Sequence, residues 1–531
     1  MRAFAELLDR LSYTASRNAK LVLVRDYLTA VPDPDRGWAL AALTGALSFD
    51  AAKPAFIRKA VEARLDAQLF AWSYDYVGDL AETAALVWPA RPGANREPSL
   101  GEVVDSLRGA GRAEVGRLIE TWLDALDATG RWALLKLMTG ALRVGVSARL
   151  AKQAAADIGA APIAELEEVW HGLEPPYQPL FAWLEGRAPR PSAETPGRFR
   201  PVMLAQPIDE AADFPKLDAA DYAAEWKWDG VRVQAVSENG VRRLFSRTGD
   251  DIAAAFPDVV GLMDFEGVVD GELLVLRDAA AAPFGDLQQR LNRKTVDAKL
   301  LAAFPAGVRA YDLLAEAGED LRALPFRDRR ERLERFIARH GGPCLDLSPL
   351  QPFDDWPSLA ALRLEPPPGE AQAAEGLMLK RWDSLYEAGR PKGPWFKWKR
   401  DPHLVDAVLM YAQRGHGKRS SFYSDFTFGV WKDGALTPVG KSYFGFTDEE
   451  LKQLDKFVRD NTTDRFGPVR AVRADAAFGL VLEIAFEGLQ RSTRHKSGVA
   501  MRFPRINRIR WDKPAREADE LATLERMLEA G

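Results

Sequence analysis

Apolar residues recur three and four apart through about the first 185 residues, and strand-like alternation is scarce there. That spacing marks one face of an α-helix. Within 131–159, Trp132, Leu135, Leu142 and Val146 fit one helical face, with a break near Gly140. The run 186–201 carries Pro189, Pro191, Pro196 and Pro201 among polar residues and reads as a linker. From about 201 to 400 the pattern becomes short β-rich runs between helices: VRVQAV at 231–236, GVVDGELLVL at 267–276, EGLMLKRW at 375–382. The stretch 364–370, LEPPPGE, reads as a loop inside this region. After Arg400, HLVDAVLMYAQ, FTFGVWKDG and LVLEIAFEGL alternate as strands with turn signals between them, which suits a small β-barrel. The last residues, 515–531, read as a surface helix. The chain is therefore expected to be multidomain α+β: an all-α domain at 1–190, a mixed α/β domain at 201–400, and a β-barrel at 401–531 with a C-terminal helix.

A length of 531 residues agrees with about three domains at roughly 100–200 residues each. Hydrophobic residues make up 47% and charged residues 28%, ordinary for a soluble globular protein. The net charge of −5, from 72 basic and 77 acidic side chains, excludes a wholly basic nucleic-acid coat but leaves room for a local basic face. The single cysteine, Cys344, forms no internal disulfide and no multi-cysteine zinc site. It reads as a small buried hydrophobe in a reducing compartment. The N-terminus carries Glu6 and Asp9 and no long apolar run, so it is not a signal peptide. No window reaches the ~18–20 apolar residues of a membrane span. The expected location is the cytoplasm, in contact with the nucleoid.

The chemistry concentrates in a few segments. In AEWKWDGVR at 224–232, strand alternation places Glu225, Lys227 and Asp229 on one face and Trp226 and Trp228 on the other, with Asp229-Gly230 as a turn. Taken alone, a lysine between tryptophans reads as a solvated edge residue. Four later segments change that: VVDGELLV with Asp270 and Glu272, EGLMLK with Glu375 and Lys380, PWFKWKR with Lys397 and Lys399, and FPRINRIRWDK with Arg505, Arg508, Arg510 and Lys513. These residue types suit nucleotidyl transfer. A lysine attacking an α-phosphate must be neutral, and cationic neighbours or a metal lower its pKa from ~10.4. Two carboxylates can hold Mg²⁺ against phosphate oxygens, lysines can neutralise charge growing on the α-phosphate, and Tyr311 in RAYDLL offers a ring to stack a purine.

The set resembles the covalent nucleotidyltransferase superfamily, and within it the ATP-dependent DNA ligase family of the bacterial three-domain type. KWDGVR is similar to motif I, DGE at 270–272 to motif III, AYDLL at 310–314 to motif IIIa, EGLMLK to motif IV, WFKWK to motif V and RFPRINRIRWDK to motif VI. Six segments in the family's order are specific where one KxDG is not. The resemblance implies that Lys227 is the nucleophile that forms lysyl-AMP. It places Glu225 at the adenine, Arg232 and Arg247 at the sugar and phosphates, Glu272 at the ribose and the metal, Tyr311 on the adenine ring, Glu375 on the metal, and Lys397 and Lys399 on the phosphate, with Arg390 as a further basic contact. It implies ATP as substrate and Mg²⁺, or Mn²⁺ in its place, as metal. LLKLMTGALRVGVS at 134–147 looks like part of a helical DNA-binding domain, and VGKSYFGFTDEEL at 439–451 like an OB-fold domain. The implied order is helical DNA-binding domain, nucleotidyltransferase (adenylation) domain, OB-fold. The implied activity is sealing of 5′-phosphate/3′-hydroxyl nicks in DNA repair or replication, by a monomer acting on nicked duplex DNA, with repair proteins as further partners.

Charge clustering points to the same substrate. Residues 491–513 hold Arg491, Arg494, Lys496, Arg502, Arg505, Arg508, Arg510 and Lys513 against one acid, Asp512. Arg414, Lys418 and Arg419 stand among glycines in QRGHGKRS, and Arg143 lies in the helical region. Clusters of this kind grip phosphate backbones without reading sequence; the bland alternative is a solvated charged face. The five histidines are scattered, with none at metal-ligand spacing. A capping enzyme would take GTP and need no helical DNA-binding domain, an RNA ligase usually lacks this motif VI, and an NAD⁺-dependent ligase would carry a four-cysteine zinc site. A non-catalytic nucleic-acid-binding protein with a dead pocket is the rival from another class.

Overall fold

Before Gln206 the described residues form helices and no strand. The computed structural model describes the chain except residues 50–53, 78, 90–95, 141, 160, 193–195, 278–279, 292, 294–295, 368–372, 416–421, 494 and 531. The described chain falls into two compact units. One is Met1–Leu166 with Leu173–Pro191 and Pro402–Gly531; the other is Glu167–Gly172 with Ser192–Asp401. No described helix is long and apolar enough to cross a membrane.

The helices begin and end where their polar residues direct. Ser99 and Glu102 form a reciprocal capping box on Leu100–Gly109, which satisfies donors that the helix itself leaves open. Asp127 caps Ala128–Thr139, and Gly140 closes that helix in the left-handed region at φ 67°. The break expected near Gly140 is present, but the single helical face expected across 131–159 does not form. The next helix, Ala148–Ala156, starts only after Ser147 as its N-cap, so Leu142 and Val146 lie between helices. The apolar spacing ran on through a left-handed glycine that no helix crosses. Leu134, Leu135, Leu137 and Met138 form the buried side instead.

In the first unit the C-terminal segment is a curled seven-stranded antiparallel sheet that resembles the half-barrels of an OB-fold. His403–Arg414 is its pivot. Its first half pairs with Val481–Phe486 and its second half with Tyr423–Lys432, with bulges that bend it between partners. The helix Asp448–Asp460, capped by Thr447 and Glu450, buries Leu451, Leu454 and Val458 against the sheet. The terminal helix, Leu521–Ala530, is more firmly seated than a surface reading suggests: Leu521 and Leu524 join the same core.

The second unit holds two sheets. A five-stranded sheet runs in the order Gln206–Pro207, Trp395–Lys399, Ala374–Arg381, Tyr222–Trp228, Leu350–Gln351. A seven-stranded sheet has Val231–Glu238, Gly267–Arg277 and Ala306–Glu316 at its centre. Side chains alternate sides along each strand. On the first sheet Tyr222, Ala224, Trp226, Trp228, Leu377, Leu379, Phe396 and Trp398 share one apolar core. The opposite face of those strands therefore carries Glu225, Lys227, Lys380, Lys397 and Lys399. On the second sheet Val233, Ala235, Val269 and Leu273 pack beneath the helix Phe326–His340 through Leu333 and Phe336. Its other face carries Arg232, Asp270 and Glu272.

Candidate functional site

The polar faces of these two sheets meet, and the lysine strand supplies the centre. Strand Tyr222–Trp228 ends in the turn Asp229-Gly230, and Val231–Glu238 begins at once in the other sheet. A Cβ on Gly230 would fall 2.5 Å from the Leu273 carbonyl oxygen and 2.8 Å from Glu272 Cγ, so the turn brings Glu272 close only because no side chain intervenes. Lys227 Nζ donates to Glu375 Oε2 at 2.7 Å, and Lys399 Nζ approaches the same oxygen at 3.3 Å.

Glu375 reaches this face through a β-bulge. Ala374 pairs with Trp228 and Leu377 with Trp226, so Glu375 and Gly376 together oppose Lys227. Simple alternation would put Glu375 beside Leu377 and Leu379 in the apolar core. The extra residue re-aims it toward the lysine. Gly376 takes φ 141°, and a Cβ there would lie 2.2 Å from the Trp398 carbonyl oxygen.

The electrostatics gather cations around two carboxylates. Burial lowers the pKa of Lys397 most, and the charges of Lys399, Arg390, Lys227 and Arg247 lower it further. Five cations thus crowd one locality, Arg247 and Arg390 included. Burial pushes Glu272 up to about 8 against the pull of Lys227 and Arg232, with Glu375 and Asp270 adding to the rise. Burial would raise Glu375 as well, but Lys227 and Lys399 outweigh it and hold it at about 2.

Other expected residues are placed differently. Glu225 shares the lysine's strand face, yet its carboxylate is buried against Arg330 Nη1 and Lys380 Nζ, both at 2.9 Å, rather than beside Lys227. Lys380 also donates to the Tyr311 carbonyl at 3.1 Å and stands 4.6 Å from the centre of the Tyr311 ring. Arg232 is locked to Asp270 by two hydrogen bonds, Nε to Oδ1 at 3.0 Å and Nη2 to Oδ2 at 2.6 Å. It lies 5.9 Å from the Tyr311 ring centre. Sequence reading missed Arg330 and Tyr386. Arg330 is one of many arginines on an amphipathic helix, and Tyr386 lies in a segment between strands, so neither carries a spacing signal.

The motif VI cations and the other basic residues at 402–513 belong to the first unit. Arg510 and Lys513 both hold Asp406, at 3.3 and 2.7 Å, and Arg510 also holds Asp512. Arg508 and Arg505 stand at looser range from Glu483 and Glu487, 3.8 and 3.9 Å. Arg143, Arg491 and Lys496 are exposed, and Arg414 is half-buried with its guanidinium 5.8 Å from the Tyr423 ring centre. Lys418, Arg419 and Arg494 lie outside the described residues.

A family model described as "ATP dependent DNA ligase domain" matches residues 202–399, and one described as "ATP dependent DNA ligase C terminal region" matches 419–513. A "Probable DNA ligase" of Koribacter versatilis (strain Ellin345) is 32% identical over 440 residues, 78% of this chain and 75% of its own. A "Probable DNA ligase" of Anaeromyxobacter sp. (strain Fw109-5) is 33% identical over 539 residues, 97% of this chain and 95% of its own. Among solved structures, the chain named Pmar-Lig_PreS3 superposes with a TM-score of 0.59 at 16% identity, covering 96% of this chain and 99% of that one, which speaks to the fold. The chain belongs to the ATP-dependent DNA ligase family.

Proposed function

We propose that Lys227 is the residue that carries AMP in this ligase, and that the second unit's two facing sheets form its adenylation site. The observation that carries the reading is the crowding of Lys227, Lys397, Lys399, Arg247 and Arg390 beside the two carboxylates Glu375 and Glu272. Lys227 Nζ loses a proton and attacks the α-phosphorus of ATP. An N–P bond forms as the bond to the bridging oxygen breaks, and pyrophosphate leaves. AMP then passes to the 5′-phosphate of a nick, and the 3′-hydroxyl displaces it as the phosphodiester forms. Lys397 and Lys399 meet charge growing on the α-phosphate, where fixed cations act without reorganisation. Tyr311 offers a stacking face to adenine, and Arg232 a fixed positive charge at the sugar. Glu225, tied to Arg330 and Lys380, forms the buried floor at the base.

Among the described residues no group of three or more His, Cys, Asp or Glu gathers as a metal cage. Two carboxylates nevertheless suit Mg²⁺, which keeps waters and takes phosphate oxygens alongside one or two protein ligands. Glu272 is a carboxyl whose pKa burial raises in spite of Lys227 and Arg232, with Glu375 and Asp270 adding to the rise. A cation between the carboxylates would relieve that crowding, so Glu272 and Glu375 would hold the ion. Bound there, it would neutralise phosphate oxygens.

Arg505 and Arg508 are assigned to the pyrophosphate, and Arg491 and Lys496 to the backbone of nicked duplex DNA. The test is self-adenylation with α-labelled ATP. K227A forms no adduct, K399A and E375Q form it at least 100-fold more slowly, and R505A/R508A is impaired in this step. Intact self-adenylation in R505A/R508A with loss of sealing alone would overturn the motif VI assignment. A wild-type rate in K399A and E375Q would overturn the phosphate site.

A further inference from the structure

Tyr386 is buried, its ring set edge-on to Trp395 with centroids 5.7 Å apart and planes at 83°. Its hydroxyl donates to Asp270 Oδ2 at 2.6 Å and accepts from Arg232 Nη2 at 3.0 Å. Arg232 Nη1 donates to the Met203 carbonyl at 2.6 Å. A guanidinium has five N–H donors in a fixed plane. Nε gives its hydrogen to Asp270, the two on Nη2 go to Asp270 and Tyr386, and one on Nη1 goes to Met203. The arginine that sits beside Tyr311 and opposite Glu272 across the strands is thus fastened on three sides. Asp270 is fully buried, so its carboxylate needs every donor it has.

We propose that Tyr386 is a positioning residue for the nucleotide: its hydroxyl closes the Arg232–Asp270 pair and holds the guanidinium at the sugar-binding position. The inference rests on the assignment of Arg232 to the nucleotide. Burial and the neighbouring Asp270 push the Tyr386 phenol well above its ordinary range, so it remains a donor at any pH the enzyme meets. Without that hydroxyl, Asp270 Oδ2 loses a donor and one Arg232 N–H loses its acceptor. The guanidinium is then free to swing toward its carboxylate and away from the substrate. Such a loss weakens nucleotide binding more than it slows chemistry.

The experiment is a double-mutant cycle on the ATP dependence of self-adenylation, with wild type, Y386F, R232K and the double variant. Y386F keeps the ring and its packing on Trp395. The expected result is a roughly 10-fold rise in KM for ATP in Y386F, a kcat within about threefold of wild type, and little further rise when Y386F is added to R232K, because coupled residues are non-additive. The same cycle in the K227A background, read as ATP affinity by calorimetry at low temperature, keeps the comparison open to a variant of reduced stability. Y386F at wild-type KM beside an impaired R232K overturns the positioning role, as do effects that multiply independently. R232K indistinguishable from wild type overturns the assignment of Arg232 to the nucleotide, and the inference with it.

Discussion

Replacing Gly376 by alanine tests whether the bulge aims Glu375. Gly376 lies at φ 141°, where L-residues are strained, and such a conformation costs on the order of 1–3 kcal/mol. Its new Cβ would stand 2.2 Å from the Trp398 carbonyl oxygen and 2.7 Å from Lys399 Cα. Both are backbone atoms, so no rotamer change relieves the contact, and overpacking of this kind adds about 1–3 kcal/mol. The sum is about 2–6 kcal/mol, or a melting-temperature loss of about 5–20 °C for a unit of this size. The strand that must yield carries Lys397 and Lys399, and the bulge carries Glu375, so the 2.7 Å contact to Lys227 cannot survive unchanged. A displacement near 1 Å in such a site costs about 100-fold in rate. The assay is single-turnover self-adenylation with α-labelled ATP, run below the variant's melting temperature. L333A is the control: Leu333 is fully buried under the other sheet, so it loses about 2–5 kcal/mol without touching the bulge. G376A slow and L333A near wild type is the expected pair. G376A with wild-type rate and stability would refute the reasoning.

Two further outcomes follow from the electrostatics. Folding raises Glu272 from 4.5 to about 8, so the folded chain binds a proton that the unfolded chain releases between those values, and stability falls as pH rises through that window. The full shift corresponds to at most about 5 kcal/mol, and because the side chain is partly open to water we expect about 1–3 kcal/mol. E272Q in chelator should therefore melt higher than wild type at pH 9 and alike at pH 4.5, while losing self-adenylation; equal melting at pH 9 contradicts the shift. For DNA, each exposed cation that meets a phosphate contributes about one unit to the salt slope of binding. R491A and K496A should each flatten the slope by about one without altering sequence preference, whereas an unchanged slope removes that residue from the interface.

How much of this was legible in the sequence depends on the local rule at work. Period-two alternation placed Lys227 and Lys397 correctly on one face and Trp226 and Trp398 on the other, because those strands are regular. Glu375 defied alternation, since a bulge adds a residue that only the paired register reveals. Glu225 was rightly put on the lysine's side, but its partners come from distant elements, Arg330 and Lys380. Nothing in the run RDRRERLERF tells which arginine turns inward. The break near Gly140 was legible across 131–159, but the departure of Leu142 and Val146 from the helical face was not, because apolar spacing does not show how far a left-handed cap holds off the next helix. Tyr386 reaches Asp270 by a hydrogen bond spanning 116 residues, a kind of contact that leaves no periodic trace.

The central claim is that Lys227 carries AMP on the way to a sealed nick. The direct measurement is to adenylate the protein with ATP and Mg²⁺, digest it, and locate the adduct by mass spectrometry before and after a chase with nicked duplex. The account predicts AMP on Lys227 alone, lost as the nick closes. AMP on another residue, or an adduct at Lys227 that nicked DNA does not discharge, would contradict it.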